Sequence, residues 1–150
     1  MKKSVLNRMV SELLRRSGSS VTVKLESYFP GGRLIGGKYV MHTHGVTMYT
    51  EVIKQQCLQL FGSLEHVYDY FAVVFAHELG HAADFSLGDL CDAMDEAADD
   101  RACTEIALQI EENAWNNAMP WIMDVDPAFI GVIIDRSLEA YREELAPASA

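Results

Sequence analysis

His77, Glu78 and His81 are the residues whose types and spacing can do chemistry. On a helix the two histidines stand four positions apart, so they leave one face, offset by roughly 40° and one turn along the axis. Both imidazoles can then reach one metal ion. Glu78 is rotated by roughly 100° from His77, which removes it from the natural ligand position and sets it beside a water held there, the place of a general base. Zinc is the expected ion, because it takes neutral imidazole nitrogen, keeps a tetrahedral site with one open position and needs no redox partner. It lowers the pKa of a coordinated water to about 7, so hydroxide is available at neutral pH.

The pattern alone arises by chance in on the order of 1% of such chains. Its surroundings add weight. Phe71, Val73, Val74, Phe75 and Ala76 precede it, and Ala82 and Ala83 follow it. Two histidines and a carboxylate in so apolar a helix are costly to bury unless a metal and a water satisfy them.

The chain has 150 residues, 49% of them hydrophobic, which suits one domain spanning residues 1–150 with a proper core. A net charge of -10 argues against a nucleic-acid binder. The early basic residues Lys2, Lys3, Arg8, Arg15 and Arg16 interleave with an apolar stripe, as on a solvated helix face. Cys57, Cys91 and Cys103 are odd in number and include no Cys-x-x-Cys pair, so they read as reduced core residues rather than a disulfide or zinc framework. Neither a secretory leader nor a bilayer-spanning run is evident, so a cytoplasmic protein without membrane partners is expected.

The elements that must position the motif follow from periodicity and punctuation. A first amphipathic helix covers residues 4–16 and stops at Gly18, and residues 21–26 alternate as a half-buried strand. After Pro30, Gly31 and Gly32, strands at 38–42 and 46–50 flank a hairpin turn at Thr43, His44 and Gly45, giving a small twisted sheet of about three or four strands. Thr50 is placed to cap a helix running to about Phe61, which Gly62 ends. Ser63 caps the metal helix, with Glu65 in its first turn, and that helix runs to about Phe85. Residues 86–93 read as a loop, 92–113 as a helix and 116–124 as an irregular connection anchored by Trp115 and Trp121. Asp126 followed by Pro127 starts a last helix to about Leu145, and residues 146–150 read as frayed.

Two histidines leave a catalytic tetrahedral site one protein ligand short. No histidine follows His81, and Asp84 and Leu87 occupy the places that a longer histidine motif would need. The third donor must come from elsewhere, and a carboxylate has to be considered. In the run Asp95-Glu96-Ala97-Ala98-Asp99-Asp100, Glu96 stands one helical turn before Asp100, so both can face the metal helix, with Asp92, Asp95 and Asp99 as alternatives.

His77-Glu78-Leu79-Gly80-His81 followed by Glu96-Ala97-Ala98-Asp99-Asp100 resembles the glutamate-ligand zincin metallopeptidases, the gluzincins, in their thermolysin-like Glu-x-x-x-Asp form. It also looks like the compact ImmA/IrrE-type and other minimal gluzincin peptidases. The resemblance covers about a third of the chain. It implies a zincin-like α+β fold in which a small twisted sheet packs with the metal helix and a following glutamate helix. It further implies that His77, His81 and Glu96 bind zinc, that Glu78 is the base and that Asp100 orients a ligand histidine. The interval from His81 to Glu96 is shorter than in thermolysin-like enzymes, leaving the intervening loop little space for substrate-binding elaboration.

A sheet edge offered to extended substrate would give His42 or His44 a role, although turn residues are the plainer reading. Tyr49 and Tyr141 are possible electrophilic helpers, His66 belongs at a helix start, and Asp84 is either an orienting carboxylate or a surface helix end. The expected function is hydrolysis of a protein or peptide by a zinc-activated water with Glu78 as base. The alternatives are a non-catalytic, metal-binding regulatory protein on the same scaffold and a zinc hydrolase of a small amide.

Overall fold

Leu6 and Leu13, two turns apart, bury one face of α1 (Lys3–Ser17), and Gly18 ends it in the left-handed conformation at φ 66. In this computed structural model, which describes residues 1–147, three strands follow: β1 (Thr22–Glu26), β2 (Gly37–Val40) and β3 (Gly45–Tyr49). Their order in the sheet is β1-β3-β2. β3 pairs parallel with β1, from Thr22 opposite Gly45 to Glu26 opposite Tyr49, and antiparallel with β2, from Gly37 opposite Met48 to Val40 opposite Gly45. The central strand therefore carries the fully buried Val46 and Met48, and β2 is an edge.

The β2–β3 turn is longer than the expected three residues. Pairing stops at Val40, and residues 41–44 make the turn, with His44 at φ 48. His42 is thus an exposed turn residue and not a strand residue. His44 is held by Tyr39 Oη, 2.9 Å from Nδ1, and by Ser20 Oγ, 3.2 Å from Nε2.

α2 (Thr50–Phe61) ends as expected at Gly62, φ 69, whose N–H donates to Leu58 O. Thr50 does not cap it. Its hydroxyl donates to Glu26 O and ties the helix start to β1. α3 (Val67–Ala82) begins later than a Ser63 cap would set it, because Ser63 Oγ accepts the Glu65 N–H at 3.0 Å and closes a local turn. It stops before Phe85, where Asp84 Oδ1 accepts from Ser86 N at 2.9 Å and turns the chain.

Residues 86–93, expected as a loop, lie mostly in α4 (Leu87–Asp95). Leu87, Leu90, Cys91 and Met94 recur at helical spacing, and that stripe outweighs the single Gly88. The continuous helix expected over 92–113 is broken instead. Glu96 is the C-cap of α4, and Asp99 caps α5 (Asp100–Ala118) by accepting from Ala102 N at 2.8 Å. A short acidic side chain satisfies free amide groups at a helix start better than it serves a helix interior. α5 then continues through Trp115 to Ala118 before a single 3-10 turn, Met119–Trp121. α6 (Pro127–Leu145) starts as expected, with Asp126 Oδ1 accepting from Ala128 N at 2.9 Å. Of the segment expected to fray, Ala146 and Pro147 follow α6, and residues 148–150 lie outside the described residues.

The molecule is α+β, with six α-helices and a three-stranded mixed sheet among the described residues. α3 forms the axis of the core. Phe71, Val73, Phe75, Ala76 and Leu79 on it are fully buried, in one cluster with Leu13 of α1, Ile53 of α2, Met48 of β3, Trp115 of α5 and Ile133 of α6. Burial of a side chain such as Phe71 or Ile53 contributes about 1.5–3 kcal/mol. Among the described residues, no helix is long and apolar enough to cross a membrane. The three cysteines are free; Cys57 is buried, whereas Cys91 and Cys103, expected in the core, are half-buried on α4 and α5.

Candidate functional site

The last two turns of α3 carry His77, Glu78 and His81. His77 and Glu78 are 9% and 6% exposed, so the polar end of this helix is set into the core rather than on its surface. The imidazole rings of His77 and His81 stand 4.6 Å apart, centre to centre, as i, i+4 spacing requires.

α5 crosses α3 at Gly80. A Cβ at Gly80 would lie 2.1 Å from Ala114 O, so the two backbones touch where no side chain fits. Asn117 Nδ2 donates to Gly80 O at 3.0 Å and fastens the crossing. One turn back along α5 from Ala114 is Glu111, which the crossing brings over both histidines. Glu111 Oε2 lies 3.3 Å from His77 Nε2 and 2.9 Å from His81 Nε2. The indole of Trp115, one turn on, stacks against His77 at 4.3 Å and 30°. Its Nε1–H donates to Ser137 Oγ on α6 at 3.0 Å, which fixes the ring.

Ligand atoms of His77, Glu78 and His81 also lie within 4.8 Å of one another. Glu78, however, meets His77 at Nδ1, 3.4 Å from Oε1, whereas Glu111 meets both histidines at Nε2. Glu111 Oε2 is therefore the one oxygen shared by the Nε2 atoms of His77 and His81, while Glu78 lies on the Nδ1 side of His77. Two of these atoms, His77 Nε2 and Glu111 Oε2, are buried without an aligned hydrogen bond.

The electrostatics follow from this contact. Burial pushes the His77 pKa down, but the Glu111 and Glu78 carboxylates outweigh it and lift the value to about 9. Burial pushes Glu111 up, and the His77 and His81 rings outweigh that and hold it well below the usual carboxylate range. Tyr141 on α6 stands close enough to Glu111 to have its own pKa raised, first by burial and then by that carboxylate.

Beside Glu78 and His77 a cavity of about 360 Å³ opens between Gly36 and Gly37 of the sheet side, Gln56 of α2, Tyr70 of α3, Trp115 and the α6 residues Ser137 and Arg136. Gly37 bounds it closely. A Cβ there would come within 3.0 Å of Glu78 Cγ and 2.8 Å of Met48 Sδ. Gly37→Ala is therefore expected to displace the Glu78 carboxylate while leaving the two histidines and Glu111 in place. Any hydrolytic turnover should fall by about tenfold or more with metal content unchanged, read by paired activity and elemental analysis.

The residues assigned from sequence divide clearly. His77, Glu78 and His81 come together as expected. Glu96 and Asp100 do not join them: both are exposed, and the helix that would align them is broken at 96–99. Asp92, Asp95 and Asp99 are exposed as well. Asp84 acts as a turn residue, bonded to Ser86 and to Asn113 Nδ2. His66 is the N-cap of α3, and Tyr49 packs edge-on against Phe29 at 5.2 Å. Glu111 was missed. A signal for it exists, because it interrupts the apolar face Ala107, Leu108, Ala114, Trp115 and Ala118 at helical spacing, where a carboxylate needs a partner. No protein-family model, curated protein or solved structure matches the chain.

Proposed function

We propose that the chain is a zinc-dependent metallopeptidase of zincin-like build, in which His77, His81 and Glu111 hold the metal and Glu78 is the general base. One observation carries this reading: two imidazole nitrogens and a carboxylate oxygen crowd together in the core, ion-paired by distance but with no aligned hydrogen bond at His77 Nε2 or Glu111 Oε2. The spacing suits zinc. Donors about 2.0 Å from a tetrahedral ion stand about 3.3 Å apart, against 3.3 and 2.9 Å for Glu111 and the two imidazoles. The donor set of two imidazoles and one carboxylate leaves the fourth position open.

Zinc, when bound, supplies Lewis-acid polarisation of a carbonyl and a more acidic water. The protein supplies the rest. Glu78, buried and facing the cavity, accepts a proton from the attacking water and delivers it to the departing amine. Trp115 covers one face of His77 and fixes the ring. A peptide is favoured as substrate because β2, which bounds the cavity at Gly37, is an edge strand, and extended chains add to such edges through backbone hydrogen bonds. The three free thiols suit a reducing, cytoplasmic setting.

The test is hydrolysis of unfolded protein and of a mixed peptide pool by zinc-loaded wild type and Glu78→Gln. Retained zinc with turnover reduced by roughly a hundredfold or more supports the role of Glu78. Equal turnover in both proteins, or none in zinc-loaded wild type, overturns the peptidase reading.

A further inference from the structure

The cavity beside Glu78 has one wall that the chemistry above does not use. Most of its polar groups are already engaged. Tyr70 Oη donates to Gln56 Oε1 at 3.4 Å, and Gln56 Nε2 donates to Leu34 O at 2.8 Å. Ser137 Oγ accepts from Trp115 and donates to Ile134 O at 2.8 Å. Arg136 is different. Its only ion pair among the described residues is with Glu139, at 3.9 Å and with both side chains more than half exposed, a loose contact of little energy.

Arg136 stands at the rim of the cavity, lining both it and an outer depression shared with Glu139, Arg142 and Glu143. It lines the same space as Glu78, and it acts on the Tyr70 hydroxyl across it: burial and then Cys57 push that group up to about 12, and Arg136 opposes them. The cavity is thus lined both by an acid, Glu78, and by a guanidinium with unused donors on α6. A guanidinium presents paired N–H groups that match a carboxylate. An anion of a bound peptide would be repelled from Glu78 and drawn to Arg136.

We infer that Arg136 anchors a carboxylate of the substrate, so that the site favours short peptides carrying a negative charge just beyond the bond held at Glu78. The inference rests on the peptidase reading for the position of that bond, but binding can be tested without turnover. A free C-terminus and an acidic side chain both offer such a carboxylate, and binding distinguishes them.

The probe is Trp115 fluorescence, since its indole lines the cavity against His77. Zinc-loaded Glu78→Gln, alone and combined with Arg136→Gln or Arg136→Lys, is titrated with three blocked peptides. These are acetyl-trialanine as the free acid, the same peptide as its C-terminal amide, and acetyl-dialanyl-aspartate amide. Arg136 is exposed, so its replacement leaves the fold intact, checked by circular dichroism. The expected result is about tenfold tighter binding of an anionic peptide than of the neutral amide. That preference should disappear with Arg136→Gln and return in part with Arg136→Lys. A preference for the free acid alone identifies a C-terminal carboxylate, and a preference for the aspartyl amide identifies a side chain. Equal binding of all three, a preference that survives Arg136→Gln, or no binding of any of them overturns the inference. Failure of hydrolysis with an Arg136-dependent preference intact would remove the peptidase reading and leave the anion site standing.

Discussion

Glu111→Ala is expected to lose zinc that wild type retains through dialysis, whereas Glu96→Ala retains it. Glu111 Oε2 sits within 3.3 Å of both imidazole Nε2 atoms, and Glu96 is exposed at the end of α4. Loss of a group that only supports a ligand costs 10–100-fold in metal affinity, so loss of a ligand itself should exceed about a hundredfold. One effect runs the other way. Glu111 helps to hold a proton on His77, whose pKa is about 9, and that proton competes with the metal at neutral pH. Removing Glu111 lessens the competition. Comparing affinities near pH 9, where much of that proton has left the wild type as well, separates the two effects. A Glu111→Ala protein that binds zinc like wild type there would remove Glu111 from the site. Loss in Glu96→Ala would return the third ligand to the position expected from sequence.

Gly80→Ala should destabilise the protein by about 3 kcal/mol, at the upper end of overpacking costs. The new Cβ would sit 2.1 Å from Ala114 O and 2.8 Å from its carbonyl carbon, and backbone cannot move aside as a flexible side chain can. Alanine is the better helix former by up to about 1 kcal/mol, too little to offset the clash. The predicted fall in melting temperature is roughly 6–12 °C for a chain of this size. Gly131→Ala is the matched control. Gly131 lies inside α6 with nothing within 4 Å of an added Cβ, so there the same change should raise stability by about 0.5–1 kcal/mol. Because Glu111 lies one turn from Ala114, Gly80→Ala should also weaken zinc binding. Equal melting temperatures for the two variants would show that the α3–α5 crossing is not closely packed at Gly80.

Several elements were legible because their causes are local. Gly18 and Gly62 end α1 and α2 where the helical stripes stop, and Asp126 followed by Pro127 starts α6. The alternation of Val21, Val23 and Leu25 marks β1. Elsewhere two local preferences compete. Residues 86–93 hold a glycine and several acids but also an apolar stripe, and the stripe prevails. At 96–99 the acids look like a helix face, yet Asp99 gains more by capping α5 than by lying inside a helix.

The division at the site has the same origin. His77, Glu78 and His81 share a helix, and a four-residue spacing alone determines that the histidines share a face. The partner carboxylate lies on another helix, and its identity depends on where that helix crosses. The sequence by itself determined two histidines on one helix face with a carboxylate, Glu78, between them. Only the tertiary structure brings Glu111 to those histidines, because the backbone contact of Gly80 with Ala114 sets the registry of α5 on α3 and leaves the acids near 96 on the surface.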